Sequence, residues 1–86
     1  MTIYSSAFQL HKGNVSPFGA SLNNGGCNFS IYCPDASKVY LCLFDSCEKE
    51  IAQIQLQERL QSKWFGFVSG VTVGQLYGYR IESKAH

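Results

Sequence analysis

Charge is scarce in this chain. Asp, Glu, Lys and Arg together make up 15% of its 86 residues, and the net charge is +1; an ordinary globular protein carries roughly a quarter. There is no run of Lys or Arg that could serve as an electrostatic footprint for nucleic acid or anionic lipid, so neither partner is expected. Spanning a bilayer takes about 20 consecutive apolar residues, and no stretch comes near that. The opening MTIYSSAFQLHKG has no basic start followed by a long apolar segment, so a secretory signal is not expected. CxxC pairs are missing, and the histidines, His11 and His86, lie near the two ends, so no metal site is expected. GxSxG, HExxH, a phosphate loop and a dinucleotide fingerprint are all missing, and with them the cofactors and catalytic classes they mark.

What remains is enough for a core. Apolar residues reach 45% and aromatics 14%, which rules out a disordered chain. The length allows one small domain. The cysteines are Cys27, Cys33, Cys42 and Cys47. Cys27 and Cys33 fall on one extended segment, about 20 Å apart at strand rise, far beyond disulfide reach. Four reduced thiols acting as small apolar residues fit a cytoplasmic compartment.

The chain is organised around GCNFSIYCPDASKVYLCLFD, residues 26–45. Cys27, Phe29, Ile31 and Cys33 alternate with Asn28, Ser30 and Tyr32, the period of a strand with one apolar and one mostly polar face. Pro34-Asp35-Ala36-Ser37 breaks the run. Lys38–Phe44 is a second strand, apolar on both faces: Val39, Leu41 and Leu43 on one, Tyr40, Cys42 and Phe44 on the other. Such a strand usually has something packed on both sides. A small sandwich has only one interior, so Tyr40, Cys42 and Phe44 are candidates for packing against a neighbouring domain.

Residues 1–12 are a lead-in, either a strand or a loose tail, the module proper runs over 13–83, and 84–86 are a C-terminal end. Asn23-Asn24-Gly25-Gly26 suits a tight turn. Glu50–Leu56 is preferred as a third strand over a helix across 48–60, with Ile51 out of phase, which implies a bulge near Ala52 or an edge strand. Residues 58–63 form a polar connection. Lys63–Val68 and Gln75–Glu82 are the closing strands. Short strands separated by turn signals predict an all-β, antiparallel sandwich of the immunoglobulin-like class.

In order and spacing, several motifs resemble a known family: Pro17-x-Gly19-Ala20, Gly26-x-Asn28-Phe29, Ala36-x-x-Val39-x-Leu41-x-Leu43-Phe44-Asp45, Glu58-Arg59, Trp64-x-Gly66-x-Val68 and Gly74-x-x-Tyr77-Gly78-Tyr79-Arg80. Together they are similar to the N-terminal domain of bacterial glycogen debranching enzymes of the isoamylase type, a family-48 carbohydrate-binding module. The resemblance covers residues 13–80. It departs at Cys27, where the family usually has Val, at Phe65, where it often has His, and after Arg80, where a His-Gly-Pro-like segment is usual. It implies an early-set immunoglobulin-like sandwich, and it implies that catalysis belongs to a following (β/α)₈ barrel, a fold of about 250 residues.

Glycoside hydrolysis needs two carboxyl groups flanking the bond. Asp35 and Asp45 fall in turns, where Asp ordinarily bonds backbone, so no catalytic residue is expected. Aromatic rings can stack on the apolar faces of sugars, and Tyr32, Trp64 and Tyr79 are the carbohydrate-binding candidates. For Trp64 and Tyr79, packing in the core or against another domain is the plainer reading. The expected function is a non-catalytic module of an α-glucan debranching enzyme that packs on the barrel and helps position the glucan. An independent α-glucan-binding module and an immunoglobulin-like interaction domain without sugar affinity are the alternatives.

Overall fold

The computed structural model describes residues 7–84, so Ile3, Tyr4 and His86 lie outside the described residues. The described residues hold β1 (Gln9–His11), β2 (Gly19–Asn23), β3 (Gly26–Tyr32), β4 (Ala36–Phe44), β5 (Glu50–Gln55), β6 (Glu58–Leu60), β7 (Lys63–Ser69) and β8 (Leu76–Ser83), with no helix among them. Every pairing is antiparallel. One sheet has the order β1-β7-β3-β2 with β6 also on β7, and the other has β5-β4-β8. Their facing sides share one core, giving the all-β, immunoglobulin-like sandwich that the alternation predicts.

The alternation maps directly onto this core. Val39, Leu41 and Leu43 of β4 are buried together with Ala52, Ile54 and Leu56 from the β5 segment, and they meet Cys27, Phe29, Trp64 and Val68 of the other sheet. Each large apolar side chain taken fully out of water contributes about 1.5–3 kcal/mol. The strands β3 and β4 do not pair with each other. The corner at Pro34-Asp35 carries the chain from one sheet to the other, and Asp35 O accepts a bond from Lys84 N at the end of β8 (2.8 Å). The extra residue of β5 is Ile51: Leu43 faces Ala52 while Phe44 faces Glu50. Either a bulge near Ala52 or an edge strand was expected there; the strand has the bulge and also lies at the edge of its sheet.

Two strands run where no strand was expected, and the second of them lies in the segment 58–63 expected to be a polar connection. Gly19–Asn23 is a strand because it pairs along β3 across the Asn24-Gly25 turn, where Gly25 has φ 87°. Glu58–Leu60 is a strand because it pairs with Lys63–Phe65 across Gln61-Ser62. Neither has a strong intrinsic strand preference, so the neighbouring strand decides.

A steric conflict at Gly66 shapes the first sheet. On one edge β7 meets β3 along its whole length; on the other it meets β1 at Phe67–Ser69 and β6 at Lys63–Phe65. Continued by one residue, Lys12 after β1 and Gln57 before β6 would both face Gly66, and two chains cannot occupy one place. The chain leaving β1 is lifted instead across the outer face of the sheet. Gly13 passes so close that a Cβ there would stand 2.6 Å from the Gly66 carbonyl carbon and 2.7 Å from Asn28 Oδ1.

The crossing segment is tied down by side chains. Gly13 N donates to Glu58 Oε2 (2.6 Å), Asn14 N donates to Asn28 Oδ1 (2.8 Å), Asn28 Nδ2 donates to Asn14 O (2.9 Å), and Ser30 Oγ donates to Val15 O (2.6 Å). The polar face of β3 is therefore buried at Asn28 and Ser30, while Tyr32 at its end stays exposed. Replacing Gly13 with Ala forces either the Gly66 backbone or Asn28 to move, and overpacking of this kind costs about 1–3 kcal/mol. A lowered urea midpoint for Gly13→Ala is the expected result; an unchanged midpoint would show that the segment does not press on β7.

Candidate functional site

Three surfaces are relevant to function, and the sequence candidates divide among them. The first is the outer face of β5-β4-β8, which carries Tyr40, Cys42 and Phe44. Polar side chains roof it within the chain. Arg80 pairs with Glu50 (3.4 Å) and donates to Gln53 Oε1 (3.3 Å). Tyr40 donates to Glu82 Oε2 (3.2 Å), and the Phe44 ring lies beside Gly78. Cys42 is only 3% exposed. The expectation that Cys42 offers surface to another domain is thereby corrected: the strand's second face is covered mainly by the chain's own long polar side chains, whose aliphatic stems can cover apolar surface. Tyr40 and Phe44 stay half-exposed. Burial pushes the Cys42 thiol upward, and the neighbouring Glu50 carboxylate adds to the effect.

The second surface is an open side of the sandwich. The strands β2 and β8 end their sheets. Register places Leu22 beside Cys27, Tyr77 beside Leu43 and Ile81 beside Val39, so all three point inward with the core. They are nevertheless 50%, 44% and 45% exposed. Between Leu22 and Tyr77 runs a cleft whose lining includes Cys27, Phe29, Val71 and Gln75. Tyr77 sits edge-on to Phe29 (5.1 Å between centroids) and to Tyr79 (5.9 Å). Tyr79 is half-buried, and burial raises its phenol well above the usual range, with smaller contributions from Tyr77 and Cys27. Leu22 was not among the sequence candidates; its signal was the Ala20/Leu22 alternation just ahead of the Asn-Gly turn.

The third surface holds Tyr32, 60% exposed at the end of β3. Trp64 is not on a surface. The residue is 6% exposed, its Nε1 donates to Cys33 O (3.2 Å), and the Arg59 guanidinium lies over the ring at 5.0 Å. A ring enclosed in this way offers no open face to a sugar, so Trp64 is the core residue of the plainer reading and not a stacking platform. Tyr32, Trp64 and Tyr79 thus occupy an outer face, the core and the open side, and do not converge. Asp45 is a turn residue: its Oδ1 accepts bonds from Cys47 N and Lys49 N (both 2.9 Å). Among the described residues, no group of three or more His, Cys, Asp or Glu side chains is placed to hold a metal ion.

Fold and surfaces define a two-layer β module whose core is closed on one side and open on the other. Residues 17–86 match Carbohydrate-binding module 48 (Isoamylase N-terminal domain), and the chain belongs to that family. Over 73 residues it is 40% identical to a glycogen debranching enzyme of Serratia proteamaculans (strain 568), covering 85% of this chain and 11% of that enzyme. Over 72 residues it is 39% identical to a glycogen debranching enzyme of Yersinia enterocolitica, covering 84% and 11%. The chain therefore spans about a tenth of the length of these curated relatives. Ligand-free PulA from Klebsiella pneumoniae superposes with a TM-score of 0.70 at 25% identity, over 79% of this chain and 7% of that one. A GBS pullulanase in complex with maltotetraose gives 0.70 at 22% identity, over 79% and 10%, and shares the fold.

Two measurements follow from these environments. Cys47 is exposed whereas Cys27 and Cys42 are buried with raised thiols, so iodoacetamide at mildly alkaline pH should label Cys47 in the native chain and leave Cys27 and Cys42 unlabelled until unfolding, because the thiolate is the nucleophile. Peptide mapping by mass spectrometry reads the outcome, and equal labelling of Cys42 would contradict its sealed position. Tyr79 has its phenol raised in the folded state, so folding holds that proton more tightly than the unfolded chain does. Its contribution is complete below the unfolded value of about 10 and is lost as the pH climbs beyond it. The urea midpoint should fall through that alkaline range, and Tyr79→Phe should flatten the fall.

Proposed function

We propose that the chain serves as a non-catalytic module of an α-glucan debranching enzyme, packing through its open β2/β8 side on the (β/α)₈ barrel and helping to hold an α-glucan there. The observation that carries the reading is the half-exposure of Leu22, Tyr77 and Ile81, side chains that register directs inward. Apolar surface left open in this way gains from being covered by another body. The names of the relatives support glycogen as the substrate context.

The acids support a non-catalytic role. Glycosidase carboxyl pairs flank a bond inside a cleft. Here Asp45 binds turn backbone, Glu58 binds Gly13, Glu50 pairs with Arg80, and Glu82 accepts from Tyr40. Free thiols at Cys27, Cys33, Cys42 and Cys47 support a reducing, cytoplasmic setting. A net charge of +1 supports neither nucleic acid nor an anionic membrane as partner.

The test adds this chain to a glycogen debranching enzyme shortened by removal of its own N-terminal module, with sedimentation velocity as the readout. A complex is expected, and Leu22→Asp with Tyr77→Asp, both at exposed positions, should weaken it by about tenfold or more, equivalent to about 1.4 kcal/mol. Tyr40→Asp should leave it unchanged. If Tyr40→Asp breaks the complex and the open-side pair does not, the docking face is the outer side of β4 instead.

A further inference from the structure

The β5-β4-β8 sheet has two edge strands, and only one of them is blunted. β5 carries the extra residue Ile51, so a bulge bends that edge. β8 runs straight for eight residues, LYGYRIES, with no proline. The irregularity in its pairing falls on β4, between Ala36 and Lys38. All of β8 is exposed except Gly78 and Tyr79, which are half-buried. A long edge without a bulge or a proline is a template for a further strand.

The direction of the backbone groups along β8 follows from register. Val39 O accepts from Leu56 N (2.9 Å), so Val39 and Leu41 bond toward β5, and Tyr40 and Cys42 between and beyond them bond toward β8. Arg80 and Gly78, opposite Tyr40 and Cys42, therefore turn their backbone groups to β4. Lys84 N, which reaches Asp35 O (2.8 Å), keeps the same parity. The alternate residues Tyr77, Tyr79 and Ile81 direct N–H and C=O out from the edge. Arg80 and Glu82 share the outer face with Tyr40, and Ile81 shares the inner face with Val39.

Charge then selects a partner and a register. A second β8 lying antiparallel makes ladder bonds only where odd-numbered residues face odd-numbered ones. Centred on Arg80, it would set two guanidinium groups against each other, which repels. Centred on Gly78 or Tyr79, it would set Arg80 against Leu76 or Gly78, with no gain from charge. Centred on Ile81, it sets Arg80 of each copy against Glu82 of the other, twice by symmetry. These pairs flank the hydrogen-bonded Ile81 pair, so they fall at the closely spaced positions of the ladder. Both side chains have capacity for the contact. Arg80 is 61% exposed while it pairs with Glu50, and a guanidinium has five N–H donors. Glu82 accepts from Tyr40 at Oε2, which leaves Oε1 for Arg80 of the second copy.

We propose that this edge pairs with a second copy of the chain, β8 against β8 about a two-fold axis at Ile81, joining two three-stranded sheets into one of six strands. The pairing takes Ile81, 45% exposed in the single chain, out of water. It involves residues 78–84, so Leu22 and Tyr77 lie outside it.

Sedimentation velocity of the 86-residue chain over a rising concentration series is the test, with near-ultraviolet circular dichroism to show that each variant is folded. The chain should pass from monomer to dimer. Arg80→Glu sets Glu against Glu, and Glu82→Arg sets Arg against Arg, so each alone should weaken the dimer about tenfold or more. The surface contacts these variants lose within the chain are worth little to the fold. Mixed in equal amounts, the two variants should pair again, because each then meets opposite charge. Ile81→Pro removes an N–H that β4 does not use, so the fold should persist while the dimer is lost. A monomer at every concentration, or a dimer that both charge variants keep, would overturn the pairing. Loss of the dimer with Leu22→Asp plus Tyr77→Asp, but not with the charge variants, would also overturn it and would assign self-association to the open apolar side. Docking on the shortened enzyme is read in a separate mixture, so either proposal can fail while the other stands.

Discussion

Burial of β3 on both faces is the constraint on which the rest of the structure depends. One face meets the opposite sheet through Cys27 and Phe29; the other lies beneath residues 13–15. Asn28 and Ser30 are the buried polar residues of the described chain. Polar groups taken out of water cost free energy unless bonded. Here Asn28 bonds both backbone groups of Asn14, Ser30 bonds Val15 O, and no buried side-chain nitrogen or oxygen among the described residues lacks a partner. This arrangement requires the chain to lie against the sheet, and only a residue without a Cβ fits at Gly13. The path of the first strand, the position of Glu58 and the gap beside Gly66 all follow from that contact.

The inward face was legible in the sequence because it obeys one rule. Positions two apart share a side, and Val39, Leu41 and Leu43, or Trp64, Gly66 and Val68, all lie buried as the alternation indicates. The phase slip at Ile51 was legible for the same reason. The outer face was not, because its burial depends on which distant segment crosses it. Asn28 and Ser30 carry no local sign that Asn14 and Val15 will cover them. Cys42 carries none that Arg80 and Glu50 will close above it. The strand β6 was illegible too, and β2 showed only the short Ala20/Leu22 alternation: Gly19, Ser21 and Asn23, or Glu58 and Arg59, have little preference for extended structure and take it from the strands beside them.

Of the site, the aromatic residues were recognised and their placement was not. Composition marks Tyr32, Trp64 and Tyr79 equally as rings able to stack. Only register separates them, sending Trp64 inward opposite Ile31, Tyr32 to an outer face opposite Lys63, and Tyr79 to the inner face opposite Leu41.

The two long sides of the sandwich are finished differently, and the difference bears on function. On the side where β5 approaches β1 and β6, Leu10 and Leu56 close over Gly66 from within, and Ile51 packs against the core where the bulge turns it. On the side where β2 approaches β8, the inward residues Leu22, Tyr77 and Ile81 remain half in water. Both sides have the same kind of sequence, with apolar residues alternating inward, so the asymmetry does not come from polarity. It comes from coverage: Leu10 and Leu56 lie over Gly66 between the sheets on one side, whereas on the other Tyr77 meets Phe29 only edge-on and stays half-exposed with Leu22 and Ile81. A domain of fewer than about 90 residues has little core to spare, and leaving three large apolar side chains half-hydrated forfeits stabilisation that closure would supply. That loss is recovered if a second body completes the side, and this is the physical ground on which the proposed docking is assigned to the open edge rather than to the self-covered face of β4.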